Sequence, residues 1–412
     1  MSNGIETTCD GHIMTSQTQH GTSFVINVNK PPNNVKNKSY VYDSRMYNIL
    51  QYNRDIITVG DPAENYKSVV YDDMGIISVC PNKSVSLHAM NDGPDIECTQ
   101  LIEGTMINLF MDRDNKWNIH TRGAIGGNYF YYRNQYYMDQ FSDARQVSFR
   151  HMFIEALGGN DRIDMNSLQV LDDLDKNAVY TFTMQHPDNH IVLPVKSPKL
   201  YLTHVTYIDG NRVTCMTAHQ APPLTGLAKS MITVPQIYPI QETMQETVNK
   251  LCGIQVDYTM TGLVFYDRDS GCRAVYIAPN YKEMKSIRGN NPNLQYQYIC
   301  LRRVKKVDEF IKYFPCYSKI FYNFYLQYKQ FMQNVHQSYY NFYVKKTPEK
   351  ISNKYWPYVN RLHRDVYIPS VRNGDNDIIS ISRVYEFFDK MSPGEVLYAL
   401  NYDNRKISKD VK

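Results

Sequence analysis

The stretch Cys98-Thr99-Gln100-Leu101-Ile102-Glu103-Gly104-Thr105-Met106 puts a Glu-Gly-Thr turn at the entry to a β-strand. Downstream, the strand runs on through Ile107-Asn108-Leu109-Phe110. Across the polar turn from Asp112 to Lys116 it meets Trp117-Asn118-Ile119-His120-Thr121, so the two runs read as a hairpin. Upstream, Ser68-Val69-Val70-Tyr71 and Gly75-Ile76-Ile77-Ser78-Val79 flank Asp72-Asp73 as a second hairpin. The turn therefore sits inside antiparallel sheet.

Further out, Val147, Phe149, Phe153, Ile154 and Leu157 fall at helical spacing and end at Gly158-Gly159, which predicts a helix over 142–157. Strands are expected at 178–184, 190–195, 200–208 and 211–217, a helix over 235–253, and a hairpin from 261–266 and 272–278. Near residue 300 the character changes. Val304 to Val344 reads as helical with a break at Pro315, and 349–366 and 380–402 read as helical too. Ser392-Pro393-Gly394-Glu395 is a helix start, with Ser392 as cap, Pro393 in the first turn and Glu395 three residues on. Residues 1–38 are polar and contain Pro31-Pro32, which predicts a flexible N-terminal tail. No internal repeat is visible.

A chain of 412 residues favours two domains, and 42% hydrophobic content is enough for packed cores. The 35 tyrosines and the frequent asparagines fit a codon bias toward A and T rather than one function. A net charge of +4 does not by itself indicate nucleic acid. The eight cysteines include no Cys-x-x-Cys pair, which argues against a zinc site. Without a leader pattern or a run of 18 apolar residues, the expectation is a soluble intracellular protein with reduced thiols and no membrane partner.

Several segments, in chain order, resemble the phage T4-type RNA ligase group of the nucleotidyltransferase superfamily, which also holds DNA ligases and mRNA-capping guanylyltransferases. Leu101-Ile102-Glu103-Gly104 is similar to the family's nucleophile motif Lys-x-(Asp/Glu)-Gly, with Leu101 in the lysine's place. Lys67-Ser68-Val69-Val70-Tyr71 and Pro81-Asn82-Lys83-Ser84 resemble the strand pair before it, with Lys67 where arginine is usual. Ile119-His120-Thr121-Arg122-Gly123 resembles the strand whose basic residue touches phosphate. The third motif, Phe-Glu-Phe-x-x-Pro-x-Asn-Arg-Ile-Val, stands here as Phe182-Thr183-Met184-Gln185-His186-Pro187-Asp188-Asn189-His190-Ile191-Val192. The fourth, Glu-Gly-x-Val, stands as Thr261-Gly262-Leu263-Val264, and the fifth, Lys-x-Lys, as Val275-Tyr276-Ile277. The resemblance implies a lysine nucleophile, two carboxylates and two phosphate-neutralising lysines at Leu101, Thr183, Thr261, Val275 and Ile277. All five residues are apolar or neutral. Leucine has no lone pair with which to attack an α-phosphate, and phosphoryl transfer needs cations against developing charge. Strings such as Glu103 to Phe110, Gln185 to Asn189, Leu294 to Tyr298 and Leu397 to Tyr402 look like RNA-ligase-like proteins of large nucleocytoplasmic DNA viruses.

Other residues carry two readings each. Glu103 belongs either to a remnant nucleotide pocket or to a plain strand entry. Arg122 is either a phosphate contact or a solvated strand-end arginine. His186 and His190 flank Pro187; a metal role lacks further ligands, and capping a turn is the ordinary alternative. Lys282, Lys285 and Arg288 recur at about one-turn spacing, either as a phosphate patch or as exposed cations beside a capped turn. Residues 301–360 hold eleven Lys or Arg, among them Arg302, Arg303, Lys305 and Lys306, against three acidic residues, with ten tyrosines interleaved. This is either a nucleic-acid surface or a helical bundle with an aromatic core, as the spacing of residues 317, 321, 324, 325 and 328 suggests.

The expected fold is α+β. A ligase-type nucleotidyltransferase domain of antiparallel sheets with helices, 39–300, follows the 1–38 tail and precedes a helical, basic, Tyr-rich domain, 301–412. The expected function is a catalytically inactive viral RNA-binding or scaffolding factor in the host cytoplasm or the virion. RNA 5′ ends or caps enter by analogy as ligands, RNA and viral or host proteins are the expected partners, and no cofactor or metal is expected. Two alternatives stay open. One is an active RNA ligase using ATP and magnesium, with Lys67 or Lys83 as displaced nucleophile. The other is a structural virion or assembly protein.

Overall fold

Two residues, Asp43 and Ser44, both adopt positive φ (49° and 63°) and fold the chain sharply back on itself. They join β2 (Val35–Tyr42) to β3 (Arg45–Tyr52), and β1 (Thr22–Val25) precedes them. The computed structural model describes residues 21–53, 61–129, 147–160, 162–289, 291, 293–347, 350–374 and 378–404. Residues 1–20 of the expected tail lie outside these, but from 22 on the expectation is corrected. Thr22 to Val25 pair with Cys215 to Arg212, and the β2–β3 ladder begins at Val35. The partner that makes Thr22–Val25 a strand lies far away in sequence, so no local signal marks it.

The chain forms two compact units. The first takes the described residues up to 128 and from 149 to 279, and the second is built mainly from 280–404. The division thus falls earlier than the boundary expected at 300.

In the first unit, β4 (Val69–Asp72) and β5 (Gly75–Val79) complete a four-stranded sheet of order β2-β3-β4-β5. After β6 (Val85–Ser86) and β7 (Ile96–Gln100), the two expected strands of the second hairpin appear as β8 (Thr105–Met111) and β9 (Trp117–His120). The helix α1 is Phe149–Ala156 and ends at Gly158, whose φ is +79°; residues 142–146 of the expected helix lie outside the described residues. Then come β10 (Ala178–Gln185), β11 (Lys199–Asp209), β12 (Arg212–Thr217), α2 (Gly226–Met231), β13 (Ile232–Thr233), β14 (Ile237–Tyr238), α3 (Met244–Leu251), β15 (Gly262–Asp267) and β16 (Arg273–Ile277).

These strands build two more sheets. The large one runs β1-β12-β11-β10-β8-β9 with β13 beside β11, and the second runs β14-β7-β15-β16-β6. All pairs are antiparallel except β11–β13 and β16–β6. The strand expected at 190–195 is absent, and only 244–251 of the expected helix 235–253 is helical, because Ile237 and Tyr238 pair with Thr99 and Cys98 instead. Ile26, Leu50, Val69, Val79 and Val213 are fully buried in one apolar core cluster, drawn from the four-stranded and large sheets.

The second unit is helical: α4 (Pro279–Arg288), α5 (Leu294–Arg303), α6 (Val307–Tyr313), α7 (Ser318–Tyr339), α8 (Trp356–Leu362), α9 (Ile368–Arg372), α10 (Ile381–Lys390) and α11 (Pro393–Leu400). The break at Pro315 is a short 3-10 turn, Pro315–Tyr317. The start at Ser392 is a full capping box with Glu395. Phe310 stacks on Phe321 at 4.6 Å, and Phe324, Tyr328 and Phe331 continue the buried stripe of α7.

Candidate functional site

Strand pairing brings the five positions where the resemblance implies a charged group together only in part. Gly262 opposes Ile277, Val264 opposes both Thr99 and Val275, and Tyr266 opposes both Glu97 and Arg273. Leu101 extends the first of these rows, since its N–H donates to the Gly262 carbonyl at 3.0 Å. Side chains alternate along a strand, so Leu101, Val264, Val275 and Ile277 share one face of the second sheet. Three of them are half-buried, and Ile277 is 39% exposed. The outer end of this face is therefore an apolar strip. Gly262 is required there: its φ is +146°, and a Cβ would lie 2.0 Å from the Tyr276 carbonyl oxygen. Thr261 is buried, and its hydroxyl donates to the Leu101 carbonyl.

Glu103 sits where the second sheet hands over to the large one. It is buried, and its carboxylate accepts the backbone N–H groups of Ile191 (3.3 Å), Val192 (3.0 Å) and Leu193 (3.0 Å). This explains the missing strand at 190–195: those amides point at a carboxylate instead of a neighbouring strand. Around it, Gln185 donates to the Glu103 carbonyl (2.8 Å) and Asn189 to the Thr105 hydroxyl (2.8 Å). Gly104 passes so close to β10 that a Cβ would lie 2.4 Å from the Met184 carbonyl oxygen and 2.8 Å from the Thr183 methyl. Thr183 itself is half-buried.

The histidines of this loop organise it. His186 Nδ1 accepts the Asp188 N–H at 3.1 Å, so Nε2 carries the proton donated to Glu155 at 2.9 Å. His190 Nδ1 lies 2.9 Å from the Pro187 carbonyl. Among the described residues no group of three His, Cys, Asp or Glu is placed to hold a metal ion. The donor set does not fit the magnesium that the resemblance would imply: Thr183 and Thr261 stand at the carboxylate positions, and Glu103 is engaged by three backbone amides.

Arg122 works as a brace. Its guanidinium donates to the carbonyls of Tyr52 (3.0 Å) and Lys67 (3.3 Å) and lies over the Tyr52 ring at 4.5 Å. Its neighbour His120 is fully buried. It donates from Nδ1 to the Thr121 carbonyl (2.8 Å) and accepts the Ser78 hydroxyl (2.7 Å), and burial pushes its pKa down to about 4. Lys83 lies in the loop before β6, half-buried, its N–H on the Glu64 carbonyl at 3.2 Å. Lys67 is half-buried just ahead of β4, and its charge acts on Cys80, Cys215 and His204.

Those last residues were not legible as a site. Across the large sheet the register aligns His120, Asn108, Thr181, His204 and Thr217 in one transverse row, and all five are buried. Thr181 donates to Asn108 (2.8 Å), and Asn108 donates to the Cys80 thiol (3.0 Å). The row meets the second sheet where Thr217 donates to Glu97 (3.3 Å) and the His204 ring packs edge-on against Tyr266 at 6.0 Å. A histidine inside the apolar alternation of β11 was the one available signal.

In the second unit, Lys282 and Lys285 are exposed on α4, but Arg288 is 3% exposed and donates to the Tyr317 hydroxyl at 3.1 Å. Arg302 pairs with Asp389 and lies over Tyr328 at 4.1 Å, while Arg303 donates to the Asp389 carbonyl at 2.9 Å. Both tie α5 to α10. Lys305, in a left-handed turn (φ 57°), and Lys306, beside Glu309 at 3.5 Å, are exposed. The aromatic stripe divides. Tyr317, Phe321, Phe324 and Tyr328 are core, whereas Tyr322 and Tyr325 are 60% and 44% exposed, 6.1 Å apart, on the α7 face that also carries exposed Lys319 and Lys329.

No protein-family model and no curated protein matches the chain. Solved structures similar to it include an archaeal ATP-dependent RNA ligase in two forms and a putative ATP-dependent DNA ligase from Aquifex aeolicus. The first archaeal form is 10% identical with a TM-score of 0.36, covering 64% of this chain and 62% of the ligase. The second is 11% identical with a TM-score of 0.38, covering 72% and 76%. The Aquifex chain is 12% identical with a TM-score of 0.34, covering 72% and 77%. Among the described residues no helix is long and apolar enough to cross a membrane.

Proposed function

We propose that this chain is a ligase-type nucleotidyltransferase relative that forms no covalent nucleotide intermediate and acts as an RNA-binding or scaffolding factor. The observation that carries the reading is the apolar strip of Leu101, Val264, Val275 and Ile277 on one face of the second sheet. The resemblance calls for three amines at positions 101, 275 and 277, and this face has none. Glu103 adds support, because its carboxylate is committed to three backbone amides. RNA contact is supported by the second unit, where Lys319, Tyr322, Tyr325 and Lys329 follow one another along an exposed helix face. Cations there track phosphates, and exposed rings stack on bases. A viral setting, in host cytoplasm or virion, belongs to the same proposal and rests on the resemblance alone.

The test is incubation with α-labelled ATP or GTP and magnesium, read on a denaturing gel, beside titration with labelled single-stranded RNA at two salt concentrations. The expected result is no covalent label and an RNA affinity that falls as salt rises. A label lost in Lys67→Met or Lys83→Met overturns the reading in favour of an active ligase with a displaced nucleophile. Neither label nor RNA binding overturns it in favour of a structural assembly role.

A further inference from the structure

Arg273 lies on the same face of the second sheet as Val275 and Ile277, in the row it shares with Tyr266 and Glu97. Among the described residues its guanidinium makes one hydrogen bond, from Nη2 to the Asn82 carbonyl at 3.1 Å, and its Nε is buried without a partner. The groups that act on it electrostatically are thiols and phenols (Cys215, Tyr52, Tyr266 and Cys80), not carboxylates, and burial keeps Cys215, Tyr266 and Cys80 protonated and uncharged. Glu97, the carboxylate of its own row, is taken by Arg268 at 3.0 Å and by the Thr217 hydroxyl. Facing this row, His204 is 5% exposed, and both its ring nitrogens are buried without a partner. Burial first, then the charges of Arg273 and Lys67, hold His204 neutral. A half-buried guanidinium whose buried Nε has no acceptor, close to a buried imidazole with two unsatisfied nitrogens, is a costly arrangement. A bound oxyanion removes the cost by supplying both the charge and the acceptors. Two cations and an N–H donor together match a doubly charged tetrahedral oxyanion better than a monocarboxylate, and the same cations repel a metal ion.

We propose that Arg273, His204 and Lys67 form a phosphate-binding site between β16 and β11. The site goes beyond the RNA-binding reading and does not depend on it. Its chemistry is that of a phosphoryl group, carried by free inorganic phosphate, by a nucleotide or by the 5′ end of an RNA.

The full chain is titrated with sodium phosphate against sodium chloride at matched ionic strength, by calorimetry and by thermal unfolding. Parallel arms use ATP and an oligoribonucleotide with or without a 5′-phosphate. Wild type should show saturable binding and stabilisation by at least one phosphoryl ligand, and Arg273→Met should weaken it about tenfold or more, as expected for loss of one charge-assisted contact. In phosphate-free buffer Arg273→Met should be at least as stable as wild type, and the order should reverse in phosphate; a structural brace would be destabilised in both. Lys67→Met serves as second variant and should weaken binding in the same sense. Response to inorganic phosphate assigns the free ion, and response only to ATP or only to the 5′-phosphorylated strand assigns that source. No response to any ligand, or binding in both variants as tight as in wild type, overturns the site. RNA binding through α7 is indifferent to the 5′-phosphate and to Arg273→Met, so failure of one proposal leaves the other standing.

Discussion

Glu103 is 7% exposed, and a carboxylate at that depth needs either a cation or several hydrogen bonds. It has the N–H groups of Ile191, Val192 and Leu193. Glu103→Ala should therefore cost about 3 kcal/mol, since three amides lose a charged acceptor, measured as a lowered urea midpoint. A cost near zero would mean the loop has other anchors. His120 supplies the second residue-scale prediction. Its pKa in the folded chain, about 4, lies below the ordinary 6.5, so the unfolded chain binds the proton more tightly. Its contribution is whole above pH 6.5 and is lost as pH falls toward 4, for a total of about 3 kcal/mol. His204, also pushed down by burial, adds in the same direction. Unfolding free energy measured between pH 7 and 4 should fall, and His120→Gln should flatten that slope.

At the scale of the element, strong alternation and turn chemistry were legible. The hairpins β4–β5, β8–β9 and β15–β16 and the capping box of α11 all stand where the residues put them. What failed was pairing decided elsewhere. Residues 190–195 have strand composition, yet Glu103 takes their amides; Ile237-Tyr238 lie in a helical pattern, yet they pair with β7. Thr22–Val25 lack any local mark because β12 makes them a strand. Gly262 is the position where an element depends on one missing atom. Gly262→Ala combines positive φ with a backbone clash, should cost about 3 kcal/mol or more, and should disturb the β15–β16 ladder. Hydrogen exchange at Val264 and Val275 would report it, and unchanged protection would refute it.

For the whole molecule, the basic balance of residues 301–360 turns out to be two populations. Arg302 and Arg303 are committed to Asp389, whereas Lys305, Lys319 and Lys329 are exposed. Replacing Lys319 and Lys329 by Gln should lower the slope of log affinity for single-stranded RNA against log salt by roughly 1.4, at about 0.7 per phosphate contact. Tyr322→Ala and Tyr325→Ala should weaken binding about tenfold without changing that slope. Arg302→Met should act on thermal stability instead. Equal slopes for wild type and the lysine variant would remove α7 from the RNA surface.

The amino-acid sequence by itself determined the α+β composition, most hairpins, the helical run from residue 304 and the apolar identity of positions 101, 275 and 277, because side-chain periodicity and the presence or absence of a charged group are local properties. Tertiary structure alone decided which of these residues share a face, that Glu103 and Arg122 are braces, and that His204 packs against Tyr266 of the second sheet, in the row of Arg273. Those outcomes depend on strand register and on which donors find acceptors, and such partners are separated by tens to hundreds of residues along the chain.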